Sequence, residues 1–238
     1  LFTLSGLRKR NCPSYLNESA ALSLGHRNSR EKAFIMKIAL IGATGQVGSR
    51  ILAEALQRGH QVSAIARHAE TLAPSTGLTP VALDVADSGK LAQALAGHDV
   101  AIVSVKYSVV DARPILQAIE QAGVRRVLVV GGAGSLQVAP GVDLVDTPDF
   151  PAAYKGEALA AREILRVLRA GTPLDWTLVS PSALLLPGER TGKFRIGGDQ
   201  LLADAQGNSR ISIEDLALAL VDELESPKHS RQRFTVGY

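Results

Sequence analysis

From Lys37 onward, short unbroken apolar runs alternate with stretches in which apolar residues recur at helical spacing. An unbroken run of this kind reads as a strand buried on both faces. The helical spacing reads as a helix with one buried side. "KIALIG" (37–42), "QVSAIAR" (61–67), "TPVALDV" (79–85), "DVAIVSV" (99–105), "RRVLVVGG" (125–132) and "LDWTLVSP" (174–181) predict six such strands. "QVGSRILAEALQRGH" predicts the helix after the first strand, with Val47, Ile51, Leu52, Ala55 and Leu56 on one stripe and Gly59 as its stop. Further helices are predicted for "SGKLAQALAGH", for 112–123 ending at Gly123, and for 150–171, where Pro151 suits the first turn and Gly171 the end. A last helix spans 212–225 with Ser212 as N-cap. "QRFTVGY" is expected as an edge strand, and 182–210, rich in glycine, as a small irregular lobe. This alternation predicts an α/β fold, a Rossmann-like doubly wound parallel sheet forming a single domain over 36–238.

Composition narrows the setting. Of 238 residues 46% are hydrophobic, which suits a packed core, yet no apolar run is long enough to span a bilayer. A single cysteine, Cys12, excludes an intramolecular disulfide and a cysteine-based zinc cluster, and fits a cytoplasmic protein. The excess of positive charge sits in residues 1–35, which carry six basic and two acidic side chains. The remainder holds 20 basic against 21 acidic, so the fold itself has no nucleic-acid footprint. Met36 is the only methionine and directly precedes the first strand. Residues 1–35 are therefore expected to be a poorly structured leader outside the working protein. A targeting peptide, given the Arg and Ser content, is the rival reading.

The first strand-to-helix turn reads Gly42, Ala43, Thr44, Gly45, Gln46, Val47, Gly48, a G-x-x-G-x-x-G spacing. Between a buried strand and an amphipathic helix this predicts a dinucleotide turn. Gly42 permits the tight bend, Gly45 lets the backbone approach a pyrophosphate at the helix N-terminus, and Gly48 lets the helix pack closely. An NAD site places Asp or Glu at the end of the second strand. Here Arg67 stands there, followed by His68. A guanidinium at that point suits a ribose 2′-phosphate, so NADP(H) is expected ahead of NAD(H); otherwise Arg67 is a solvated loop charge. Asp84 and Val85, ending the third run, either meet the adenine or, for Asp84, cap the next turn. Ser104, at the end of the fourth run, completes the cofactor-binding set on this side.

With these residues placed, 36–238 resembles the short-chain dehydrogenase/reductase superfamily. Within it the chain is similar to the atypical NAD(P)H-binding group that includes NADH-flavin reductases and the biliverdin-reductase-B type. "KIALIGATGQVGS", "LDVAD", "GVRRVLVVGGAGSL", "PAAYKGEAL" and "WTLVSPSALLLPGERTGKFR" carry the resemblance. It implies that Gly131–Ser135, with Gly132 among the binding residues, lie under the nicotinamide. It also implies that Ser180 and Pro181 border the carboxamide, and that Ser135 and Tyr154 are the candidate catalytic groups. Read without it, "VVGGAGS" is a ligand-facing turn or a plain bend, and Tyr154 a pocket residue or an ordinary helix aromatic.

One departure matters. The superfamily's usual Tyr-x-x-x-Lys pair is absent, because Tyr154 is followed at once by Lys155 and the residue four on is Ala158. Neighbouring helix side chains diverge by about 100°, so Tyr154 and Lys155 cannot act as that pair does. A flavin, quinone or similar conjugated acceptor, bound as substrate and not as resident cofactor, needs no dedicated acid. The expected activity is thus NADPH-dependent hydride transfer to such an acceptor. The alternatives are a non-catalytic NADP(H)-sensing regulator and a sugar epimerase or dehydratase.

Other constellations add little. The five histidines lack metal-ligand spacing, so no metal is expected; His60 and His98 suit helix C-termini. "GERTGKFR" (188–195) either touches an anionic acceptor or is a solvated loop. The chain is expected to be a monomer or a homodimer, with "LALAL" and the tail "FTVGY" as candidate interface, and to have neither nucleic-acid nor membrane partners.

Overall fold

The computed structural model describes residues 35–238, so the expectation for the leader lies, apart from Ile35, outside the described residues. The elements are β1 (Lys37–Ile41), α1 (Gln46–Gln57), β2 (Gln61–Ala66), β3 (Leu78–Ala82), α2 (Ser88–Leu95), β4 (Val100–Val103), α3 (Ala112–Gln121), β5 (Arg126–Val130), β6 (Gln137–Ala139), β7 (Val142–Asp143), α4 (Ala152–Ala170), β8 (Asp175–Pro181), β9 (Leu184–Leu186), β10 (Arg195–Gly197), β11 (Arg210–Ser212), α5 (Ile213–Glu225) and β12 (Gln232–Gly237). Eight strands form one sheet in the order β10-β12-β8-β5-β4-β1-β2-β3. Its pairs are parallel except β10 with β12. The six expected strands all lie in it, and the fold is the Rossmann-like doubly wound arrangement.

The continuous apolar strands follow from burial on both faces. Ala39, Ile41, Ala101, Val103, Val127 and Val129 pack toward α2, α3 and α4. The alternate residues Ile38, Leu40, Ile102, Leu128 and Val130 pack toward α1 and α5. Trp176, buried at 4% exposure, belongs to the first of these clusters. Ser212 caps α5 by accepting the Asp215 N–H at 3.0 Å.

Four expectations need correction. The third run leaves the sheet at Ala82, and its last residues bend away where the Asp84 carboxylate accepts the Ala86 N–H at 3.0 Å. The C-terminal strand is internal, because β10 from the glycine-rich segment pairs with it outside, Arg195 opposite Gly237. That segment is also less irregular than expected, since β9 and β11 form a small parallel pair. The proposed interface residues are consumed within the chain: Leu216, Leu220, Phe234 and Val236 are all buried in the core between α5 and the sheet.

Strand order positions the site. The chain runs outward from β1 through β2 to β3, then returns to the other side of β1 to build β4. The turns after β1 and β4 therefore diverge, and in open α/β sheets the crevice at such a point takes the ligand.

Candidate functional site

Gly42 adopts φ +86°, a conformation that favours glycine, and a Cβ there would lie 2.0 Å from the Ser104 carbonyl oxygen. Its N–H donates to Ile65 O at 2.8 Å, and the Ser104 N–H donates to Ile41 O at 2.9 Å, so the turn is sewn to both neighbouring strands. A Cβ on Gly48 would come within 2.1 Å of the Gly42 carbonyl oxygen, which sets the seating of α1. Gly45 is different: its nearest neighbour is Gly42 O at 3.2 Å, and the rest of its surroundings are open.

Gly45 is also the N-cap of α1 and offers no capping side chain. The first-turn N–H groups of Gln46, Val47 and Gly48 have no intrahelical acceptors. With the helix dipole they make an anion cradle.

A cleft of about 680 Å³ opens over this turn. It takes in Gly42, Thr44, Gly45, Arg67, Asp84, Val85 and Ser104 of the expected set. Ala43 is buried beneath the turn. Arg67 follows directly on β2 and is exposed. Asp84 both caps its turn and borders the cleft, so its two readings coexist.

Sequence reasoning missed the loop after β4. Lys106, Val109, Val110 and Asp111, with Pro114 of α3, form the wall facing the glycine turn. The signal was available in principle, since "KYSVVD" leaves a strand at its C-terminal end, where ligands bind.

This loop is tied down from behind. Glu157 on α4 accepts the Tyr107 N–H at 2.9 Å and the Ser108 N–H at 2.8 Å. The buried Tyr107 hydroxyl donates to Val130 O at 2.7 Å. Burial, then the nearby Glu157 charge, pushes the Tyr107 hydroxyl far above its ordinary range, so it stays protonated and structural.

The remaining expected residues lie off the cleft lining. Ser180 and Pro181 are buried in β8, and Gly132 is half-buried beside Ala161. The two candidate catalytic groups part company. Ser135 is 6% exposed and accepts from Arg233 Nη1 at 3.3 Å, while Tyr154 stands 68% exposed on the first turn of α4. Arg233 in turn pairs with Asp199, and Ser135 and Arg233 line a separate cavity of about 510 Å³. Ala158, at the position where the usual lysine would stand, is buried against the loop after β5. A Cβ on Gly134 would lie 2.6 Å from the Ala158 Cβ.

"GERTGKFR" is likewise engaged. Glu54 receives Arg190 Nε at 2.7 Å and Nη2 at 2.8 Å, and Asp215 accepts the Thr191 hydroxyl at 2.5 Å and the Gly192 N–H at 2.9 Å.

A glycine turn shaped by close contacts, an uncapped helix start and a cleft at the switch point together fit a dinucleotide. The model of a family described as NAD(P)H-binding matches residues 42–227. The chain belongs to this NAD(P)H-binding family. Among solved structures, a Burkholderia pseudomallei protein provisionally named as exported is 49% identical, with 86% of this chain and all of that one covered at a TM-score of 0.77. A Bacteroides thetaiotaomicron protein provisionally named an epimerase is 41% identical over 86% of this chain and 97% of that one, TM-score 0.82. A Streptococcus pneumoniae protein provisionally named an NADH-flavin reductase is 36% identical over 85% and 99%, TM-score 0.72. The family is thus that of an NAD(P)H-binding, oxidoreductase-like Rossmann fold. No described helix is long and apolar enough to cross a membrane, and no group of potential metal ligands occurs among the described residues.

Proposed function

We propose that the protein is a cytoplasmic NADPH-dependent reductase that passes hydride to a flavin, quinone or similar conjugated acceptor taken up as substrate. The observation that carries the cofactor choice is Arg67. It stands exposed at the end of β2, on the cleft that Gly42 and Gly45 also line. The carboxylates nearby are occupied: Asp84 accepts Ala86 N–H, and Asp111 caps α3 and holds Arg113 Nη2 at 2.8 Å. A guanidinium so placed favours a 2′-phosphate over a bare ribose hydroxyl.

Bound NADPH supplies the hydride, and a conjugated ring that accepts it needs only one further proton, which water can provide. The chain's contribution is then to hold and orient. That accords with buried Ala158 in place of a lysine and with a tyrosine, Tyr107, locked as a hydrogen-bond donor. An epimerase reading would need a proton-transferring pair that residues 154 and 158 do not offer.

The test is NADPH oxidation by residues 36–238 with FMN, FAD and a small quinone, NADH being run in parallel. Turnover with one of these, faster with NADPH, is expected. Tight NADPH binding without turnover would overturn the enzyme reading in favour of a cofactor-sensing protein. Arg67→Glu retaining the NADPH preference would overturn the cofactor reading.

A further inference from the structure

We propose that Lys106 is the counter-charge for the dinucleotide pyrophosphate, a second cation whose task is separate from that of Arg67. This rests on the reading of the cleft as an NAD(P)H site.

Strand order gives the placement. β1 lies between β4 and β2 in the sheet, so the glycine turn that follows β1 has the β4 loop on one flank and the end of β2 on the other. Arg67 leaves β2 and Lys106 follows β4; both line the cleft. With neighbouring strands about 4.8 Å apart, the two cations start roughly two strand spacings from each other, across the turn.

The backbone before Lys106 is seated hard against that turn. The Ser104 carbonyl occupies the space a Gly42 Cβ would need, 2.0 Å away, and Lys106 comes two residues later. The backbone after it is held as well. Tyr107 is anchored through its N–H to Glu157 and its hydroxyl to Val130 O, and Lys106 O accepts the N–H groups of Val109 at 3.1 Å and Val110 at 3.0 Å. Lys106 thus leaves a fixed stretch of chain, exposed, beside the cradle.

Charge supplies the need. A pyrophosphate carries two negative charges, whereas a helix N-terminus offers the equivalent of about half a positive one. Arg67, on the β2 side, is assigned to the adenosine ribose by the proposed function. Of the cleft's acids, Asp111 holds Arg113 and Asp84 holds the Ala86 N–H. Lys106 is the lysine that lines the cleft on the β4 flank, and a compact ammonium suits a phosphate met as a point charge.

The two roles separate by ligand. The pyrophosphate is common to NADPH, NADH and ADP-ribose and absent from adenosine 2′-monophosphate, which carries only the group assigned to Arg67. Dissociation constants of these four compounds are measured by calorimetry for wild type, Lys106→Gln, Lys106→Arg and Arg67→Gln. Lys106→Gln is expected to weaken NADPH, NADH and ADP-ribose by a similar factor, about tenfold, and to leave adenosine 2′-monophosphate unchanged. Lys106→Arg is expected to retain most of the affinity, and Arg67→Gln to weaken NADPH and adenosine 2′-monophosphate alone. The inference is overturned if Lys106→Gln leaves all four unchanged, or weakens only the 2′-phosphorylated compounds. If wild type binds neither NADPH nor NADH, it is the underlying site reading that fails.

Discussion

Glu157 and Tyr107, fifty residues apart in sequence, are joined by a 2.9 Å hydrogen bond from the Tyr107 N–H to the Glu157 carboxylate, which also takes the Ser108 N–H at 2.8 Å. A helix on one face of the sheet thereby sets the loop that walls the cleft. Glu157→Ala leaves two loop N–H groups without this acceptor and is expected to destabilise the fold by about 1–2 kcal/mol. It should also speed amide hydrogen exchange at Tyr107 and Ser108 and weaken NADPH binding. Urea denaturation, exchange and calorimetry check the three effects. Unchanged exchange at both amides would show that the carboxylate does not hold the loop.

The three glycines of the turn should respond differently to alanine. Gly42→Ala puts a Cβ 2.0 Å from the Ser104 carbonyl oxygen at φ +86°, and Gly48→Ala puts one 2.1 Å from Gly42 O. Each is expected to cost at least about 2 kcal/mol of stability. Gly45→Ala meets only Gly42 O at 3.2 Å, with φ at −70°. It should lose less than about 1 kcal/mol while weakening NADPH at least tenfold, because the new methyl occupies the approach to the cradle. Thermal denaturation and calorimetry on the three variants separate folding from binding.

Restoring the superfamily's tyrosine–lysine spacing should fail. Ala158 is 8% exposed and packs against the loop at Gly134. Ala158→Lys forces a long charged side chain into that contact and is expected to destabilise the protein by about 3 kcal/mol. It should add no carbonyl reductase activity. A variant of wild-type stability with new alcohol-forming activity would show that the absence of lysine was incidental.

Stability should depend on acid through Glu54. The Arg190 guanidinium foremost, opposed by burial and seconded by Arg58, holds this carboxyl below its ordinary value of 4.5. A depressed folded-state pKa means the unfolded chain takes up the proton first. The stabilisation is therefore complete above pH 4.5 and is lost as pH falls through the lower, folded value. Urea midpoints of wild type are expected to fall below that pH more steeply than those of Glu54→Gln. Parallel curves would mean that Glu54 contributes nothing to acid sensitivity.

Much of this was legible in the chain itself. Strand and helix order, the bend at Gly42, the cap at Ser212 and the cation at Arg67 depend on residues within a few positions of one another, and local sterics and periodicity act at that range. What stayed hidden involves partners far apart in sequence. Arg190 of a glycine-flanked loop is drawn to Glu54, 136 residues away, because each charge near the α1–α5 face seeks an opposite one. Ser135, expected as a catalytic group, hydrogen-bonds Arg233, 98 residues on, because β12 inserts beside β8 and brings that buried guanidinium with it. The sequence alone determined that a parallel sheet would present a glycine turn to a dinucleotide. Only the order of its strands decided that the β4 loop, with Lys106, would stand opposite, since adjacency in a sheet is settled by burying all the apolar faces at once.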